Sequence, residues 1–281
     1  THGKPSNEID LRNFGQMYDF NYHRPKKLDE AATTLSSAED GKLVAGGMTL
    51  IPTLKQRLAQ PSDLVDLAEL SELVGISVDG DTIIIGSMTR HCDVSASADV
   101  AESIPALASL ASHIGDSQVR HRGTIGGSIA NNDPAADYPA GALGLGATIV
   151  TSKRKSTADE FFTGLFETVL EEDEIITSIE FPKPKRAAYM KFPNPASRYA
   201  MVGVMVAETA DGVRVAVTGA GDDGVFRVTA MEEALDANFA SDAIADITVS
   251  DAELMSDIHA SAEYRAHLIS IMAKRAVEAA S

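Results

Sequence analysis

At 281 residues and 44% hydrophobic content, the chain is long enough for about two domains and apolar enough to bury their cores. Its net charge of −17 repels phosphate and argues against a nucleic-acid partner. The single cysteine, Cys92, excludes an internal disulfide and an iron–sulfur cluster held by this chain alone, since a cluster takes about four ligands.

The opening stretch, THGKPSNEIDLRNFGQ (1–16), is polar, patternless and without the apolar core of a secretory signal. It reads as a leader or tag ahead of Met17. No run approaches the roughly 20 apolar residues of a membrane span, so a cytoplasmic location is expected. PKKLDEAATTLSSA (25–38) puts Leu28, Ala31, Ala32 and Leu35 on one helical face. KLVAG (42–46) reads as a buried strand and 49–58 as the next helix. LVDLAEL leads to a hairpin, GISVDGDTIIIGSM, turning at Asp79-Gly80. DVAESIPALASLASHIG (99–115) reads as one helix stopped by Gly115, whereas the glycine-rich 122–146 fits no single element. ATIVTS and DEIITSIEFP are strand-like, and PKPKR (182–186) marks a domain boundary. Strands over AMVGVMVAET, GVRVAVTGA and VFRVTA follow, then helices over AMEEALDA and SAEYRAHLISIMAKRAVEAA. Strands and helices in blocks predict α+β architecture in both halves.

Three glycine motifs compete for attention. GAGDDG (219–224) matches a dinucleotide fingerprint, but β-like VFRVTA follows where a helix must stand, and Asp222 and Asp223 would face an anion. It is read as a hairpin turn. AGGMTLIP (45–52) runs strand, Gly-Gly, helix start, a junction whose amides suit an anion such as a diphosphate. TIGGSIANNDPAADY (124–138) adds a second Gly-Gly flanked by Thr124 and Ser128, with Asp133 and Asp137 as acceptors for polyol hydroxyls. His91, His113 and His121 lack metal-ligand spacing and read as surface or loop residues. No metal site and no nucleophile–base constellation emerges, so no catalytic residue is named.

With its two Gly-Gly loops in this order and DPAAD after the second, the chain resembles the FAD-binding (medium) subunit of molybdenum hydroxylases, of the aerobic carbon monoxide dehydrogenase type. The likeness is carried by AGGMTLIP, IGSMTRH (85–91), QVRHRGTIGGSIANNDPAADYPA, FFTGLFETVL, EIITSIEFP and YMKFPNPASRYAMVGV. It implies a two-part α+β FAD-binding domain of the vanillyl-alcohol-oxidase/PCMH type over 17–185, its subdomains split near 70–75. A small α+β C-terminal domain would fill 186–281. The resemblance implies that Ala45, Gly46, Gly47, Met48, Thr49 and Leu50, with Thr124, Ile125, Gly126, Gly127 and Ser128, hold the FAD diphosphate. It places Asp137 by the ribityl chain, Ile176 beside the nucleotide, and Tyr189 or Lys191 near the isoalloxazine. Met48 and Ser128 stand where the family often has His or Gln, and Asn.

The implied FAD is noncovalent, although His91-Cys92 offers tethering chemistry. The implied function is electron transfer from [2Fe-2S] clusters on a small partner subunit to an acceptor such as a quinone or NAD. The molybdenum cofactor would sit on a large partner subunit. A stand-alone FAD oxidase or reductase of the same fold, and a scaffold that has lost its flavin, remain alternatives on the residues alone.

Overall fold

A computed structural model describes residues 17–280; the expected leader over 1–16 lies outside the described residues. The first unit comprises β1 (Asn21–His23), α1 (Leu28–Ser37), β2 (Gly41–Val44), α2 (Leu50–Lys55) and β3 (Asp63–Asp66). Its strands are parallel in the order β1-β3-β2, which requires crossovers, and α1 and α2 supply them. Successive β3 residues alternate faces. Val65 therefore packs with Ala31 and Leu35 of α1, while Leu64 packs with Val44 of β2 and Leu54 of α2.

The second unit starts with the hairpin β4 (Ile76–Asp79) and β5 (Thr82–Gly86), whose expected turn glycine, Gly80, has φ +56°. Six short helices follow: α3 (His91–Ala96), α4 (Ala98–Ser103), α5 (Pro105–Ser112), α6 (Ser117–Arg120), α7 (Ile125–Asn131) and α8 (Asp137–Gly144). Then come β6 (Thr148–Thr151), β7 (Lys155–Thr157), α9 (Ala158–Phe161), the small pair β8 (Phe162–Gly164) and β9 (Glu167–Thr168), and β10 (Ile176–Pro182). The antiparallel sheet has the order β4-β5-β10-β6-β7.

Two expectations change here. The single helix over 99–115 is broken, because Pro105 forces Ile104 out of the helical region to φ −141°, ψ 71°. The stretch 122–146, which fits no single element by pattern, is mostly the helices α7 and α8. Its glycines and prolines depress helix propensity, but α8 is buried along its whole length, so packing overrides propensity.

The third unit is the antiparallel sheet β11 (Arg186–Pro193), β12 (Ala200–Thr209), β13 (Gly212–Gly221) and β14 (Gly224–Arg227), with α10 (Thr229–Ala237) and α11 (Ala262–Ala279). Val202, Val204 and Val206 face α10 and α11, with Val213, Val215 and Val217 beside them. Tyr189, Met205 and Ala216 face the other way, into the core of the second unit. A sheet covered on both faces needs apolar residues at every position, which is why AMVGVMVA shows no alternation. GAGDDG spans the β13–β14 turn with a strand after it, as the sequence pattern predicts.

Candidate functional site

The two Gly-Gly loops meet. A cleft of about 530 Å³ lies between them, and the third unit contributes to its lining.

The first loop joins β2 to α2. Its two glycines do different things. Gly47 has φ +72°, a conformation side chains disfavour. Gly46 has ordinary φ, but a Cβ there would stand 2.2 Å from the Arg122 carbonyl oxygen of the second loop. So one glycine shapes the turn, and the other lets the two loops pack backbone to backbone. Among the described residues, the amides of Gly46, Gly47, Met48 and Thr49 have no intramolecular hydrogen-bond partner. Thr49 precedes α2 without a side-chain capping bond.

The second loop is the converse. Ile125 N–H donates to Thr89 O (3.0 Å), Gly126 N–H to Ser87 O (2.8 Å), and Ser128 N–H to Thr124 O (3.0 Å). Gly127 N–H donates to the Thr124 hydroxyl (3.2 Å), an N-cap bond. The start of α7 is therefore satisfied inside the protein. Gly126 is small because a Cβ there would lie 2.5 Å from Ser87 Cβ.

Of the residues singled out by sequence, Ala45, Gly46, Gly47, Met48, Thr49 and Leu50 line the cleft. So do Thr124, Gly126, Gly127, Ser128, Asp137 and Ile176. Ile125 does not; it points into the core at 0% exposure. Tyr189 and Lys191 do not line it either; they stand behind Asp137. The Tyr189 hydroxyl donates to Asp137 Oδ1 (2.5 Å) and Lys191 Nζ to Oδ2 (2.9 Å). Lys191 also donates to the His113 carbonyl (3.1 Å). Gly203 makes this possible, since a Cβ there would sit 2.1 Å from the Tyr189 oxygen. Burial pushes the Asp137 carboxyl up, against the opposing pull of Lys191 and Tyr189. Burial, with the Asp137 charge beside it, raises the Tyr189 hydroxyl well above its ordinary value.

The DPAAD segment is held from the third unit. Thr218 Oγ1 lies 3.0 Å from Pro134 O and 2.7 Å from Ala136 O, within donating distance of both. Gly219 N–H donates to Pro134 O (2.7 Å) and Ala200 N–H to Ala135 O (3.2 Å). Asp133 accepts from Ala135 N–H, and burial raises its carboxyl.

Pattern reading missed three features. His91 is not a surface residue; it is 4% exposed and lines the cleft. His113 and His121 are exposed, as expected. Arg198, at φ +63°, and Tyr199 bring a cation and an aromatic ring to the lining. Glu174 also lines it, already bonded to Thr151 (2.6 Å) and Arg154 (2.9 Å). The signal for His91 was its place in IGSMTRH, one strand end away from both loops; the signal for Tyr199 was an aromatic two residues after PAS. Among the described residues no group of three or more His, Cys, Asp or Glu is placed to hold a metal ion. No helix among them is long and apolar enough to cross a membrane.

Residues 18–184 match the family model described as the FAD binding domain in molybdopterin dehydrogenase. The carbon monoxide dehydrogenase medium chain of Hydrogenophaga pseudoflava is 35% identical over 277 residues, 93% of this chain and 96% of that protein. The nicotine 6-hydroxylase medium subunit of Paenarthrobacter nicotinovorans is 35% identical over 270 residues, 91% and 95% of the two chains. In three dimensions, the structure of carbon monoxide dehydrogenase from Hydrogenophaga pseudoflava lacking the Mo-pyranopterin moiety aligns with a TM-score of 0.85, at 35% identity. The alignment covers 94% of this chain and 98% of that one.

Proposed function

This chain belongs to the FAD-binding family of molybdopterin dehydrogenases, and on that premise we propose that its cleft takes one noncovalent FAD across both glycine loops. It is an FAD-binding, electron-transferring subunit of an oxidoreductase complex, and the relatives it matches are medium subunits of a dehydrogenase and a hydroxylase. Bound there, FAD supplies the redox chemistry that links one-electron donors to an external acceptor.

The observation that carries the binding reading is the first loop. The amides of Gly46, Gly47, Met48 and Thr49 flank a positive-φ glycine and lack hydrogen-bond partners among the described residues. Such a run of free N–H groups suits the oxygens of a diphosphate. The second loop, with its amides bonded internally, offers a close-packed wall and the side chains of Thr124 and Ser128. Asp137, a carboxylate with about four acceptor positions, uses two on Tyr189 and Lys191 and keeps the rest for polyol hydroxyls. Tyr189 and Lys191 thus serve the site by holding Asp137, and Ile176 supplies apolar lining. The changes of sheet support a division into an FAD-binding domain over 17–185, with subdomains parting near 70–75, and a C-terminal domain over 186–281.

The finer assembly belongs to the same proposal. A large partner subunit carries the molybdenum cofactor, a small one carries [2Fe-2S] clusters, and the complex works in the cytoplasm. One Cys on this chain leaves the cluster ligands to a partner.

Isothermal titration of the flavin-free chain tests the site. FAD is expected to bind at one per chain and far more tightly than FMN, which lacks the diphosphate bridge. Equal affinities would overturn the diphosphate assignment. Flavin that stays on acid-precipitated protein would show a covalent link instead.

A further inference from the structure

His91 is the first residue of α3, and its amide donates to Gly123 O (3.0 Å) at the entry to the second loop. The imidazole packs beside the Tyr138 ring at 5.3 Å between centroids. Gly123 makes room for its edge; a Cβ built there would lie 2.5 Å from His91 Nε2. The other ring nitrogen, Nδ1, is sealed in the interior with no hydrogen-bond partner. The ring nitrogen able to meet a molecule in the cleft is therefore Nε2.

The protonation state follows. Burial, with Arg120 nearby, brings His91 down to about 4, so the ring is neutral near pH 7 and carries one N–H. A proton on Nδ1 would be a buried donor with nothing to receive it. Orphaned buried N–H groups are rarer than unfilled acceptors. The tautomer with the proton on Nε2 leaves only an unfilled acceptor inside and points a donor toward the second loop.

That donor stands where the loop has no main-chain amide to spare, because the Ile125, Gly126, Gly127 and Ser128 amides are all bonded within the protein, and it joins the Thr124 and Ser128 hydroxyls on that wall. Resting on the FAD reading of the cleft, we infer that His91 Nε2–H is a cofactor-binding donor, supplying the second wall's hydrogen bond to the diphosphate. The first loop then holds the diphosphate by backbone amides, and the second holds it by a neutral side-chain donor.

The test uses the full chain freed of flavin. FAD, ADP and riboflavin are titrated into the wild type, His91→Asn and His91→Gln. The Gln amide nitrogen reaches about where Nε2 stood; the Asn amide stops at the level of Nδ1. His91→Asn should weaken FAD and ADP by about tenfold or more, the scale of a hydrogen bond to a charged group. Riboflavin, which has no phosphate, should bind as before, and His91→Gln should lie between wild type and Asn. Nitrogen-15 NMR of the wild type needs no folded variant: it should show the Nε2–H tautomer, with a resonance that moves on adding ADP. A folded His91→Asn protein with unchanged FAD and ADP affinity, an Nδ1–H tautomer, or a resonance indifferent to ADP would each overturn the assignment. Equal losses for riboflavin and ADP would also overturn it. A wild type that binds neither FAD nor ADP would instead bring down the FAD reading itself.

Discussion

Gly46 and Gly127 look interchangeable in sequence, each belonging to a Gly-Gly pair, yet they face different obstacles. A methyl at Gly46 meets the backbone of Arg122 at 2.2 Å, and backbone cannot swing away. A methyl at Gly127 meets the Thr124 hydroxyl at 2.9 Å and Ala45 Cβ at 3.4 Å, and it gains helix propensity of about 1 kcal/mol inside α7. Gly46→Ala should therefore cost roughly 1–3 kcal/mol in urea unfolding and part the two loops. Gly127→Ala should change stability by less than about 1 kcal/mol, its small clash offset by the propensity gain. Equal costs would mean the loops are not packed as described. His91 yields a pH signature. Its folded pKa, about 4, lies below the ordinary 6.5, so the unfolded chain binds the extra proton between those values. The sign is that stability is full above about pH 6.5 and falls as pH drops toward 4, by about 3 kcal/mol in all. Unfolding free energies of wild type and His91→Gln measured across that window should converge at the acid end, with the variant showing the shallower slope. Parallel curves would show that His91 titrates normally.

Between elements, the pair β8–β9 is tied to the end of α7 by one side chain. Asn132, at φ +41°, ends α7 and donates from Nδ2 to Gly164 O and Glu167 O, both at 2.9 Å. The hairpin tip exposes Leu165 and Phe166, the latter at φ +56°. Asn132→Gly keeps the positive φ and removes both bonds. It should speed chymotrypsin cleavage after Phe166 several-fold, and Asn132→Ala should do so and also lower the melting temperature. Unchanged cleavage in both would show the hairpin is held elsewhere. None of this was legible in FFTGLFETVL, because the tie runs across some 30 residues and to main-chain oxygens. What sequence conveyed well was local. The amphipathic stripe of α1, the Asp79-Gly80 turn and the Gly-Gly junctions each follow from a few neighbouring residues. The helices α7 and α8 were illegible because Gly and Pro argue against helix while burial decides for it. Within the site, the glycine loops stood out, whereas the bonds by which Tyr189 and Lys191 hold Asp137 cross more than 50 residues of chain and show only in three dimensions. His91 stayed hidden because a histidine without nearby ligands looks like any surface residue until its burial is known.

The whole molecule carries −17, and its cleft is not an island of positive charge. Asp116, Asp133, Asp137 and Glu174 line it against Lys42 and Arg198. Fixed amide dipoles and a neutral imidazole do not depend on long-range attraction. Raising salt from 0.1 to 1 M shortens the Debye length from about 10 to about 3 Å, which weakens capture by cations and relieves repulsion among surface acids. FAD affinity should shift by less than about threefold across that range, while the urea midpoint should rise. A tenfold or greater loss of affinity would mean that Lys42 or Arg198 captures the phosphates. The third unit also bears on how such proteins are taken apart. The family match ends at residue 184, whereas the bonds from Thr218, Gly219 and Ala200 to DPAAD, the Tyr189–Asp137–Lys191 cluster and the Arg198–Tyr199 lining all come after it. Anyone grafting this flavin module onto another complex inherits a site built by two halves of the chain. A graft that stops at the match would carry the glycine loops without the clamp that sets Asp137, so the transplantable unit runs through α11.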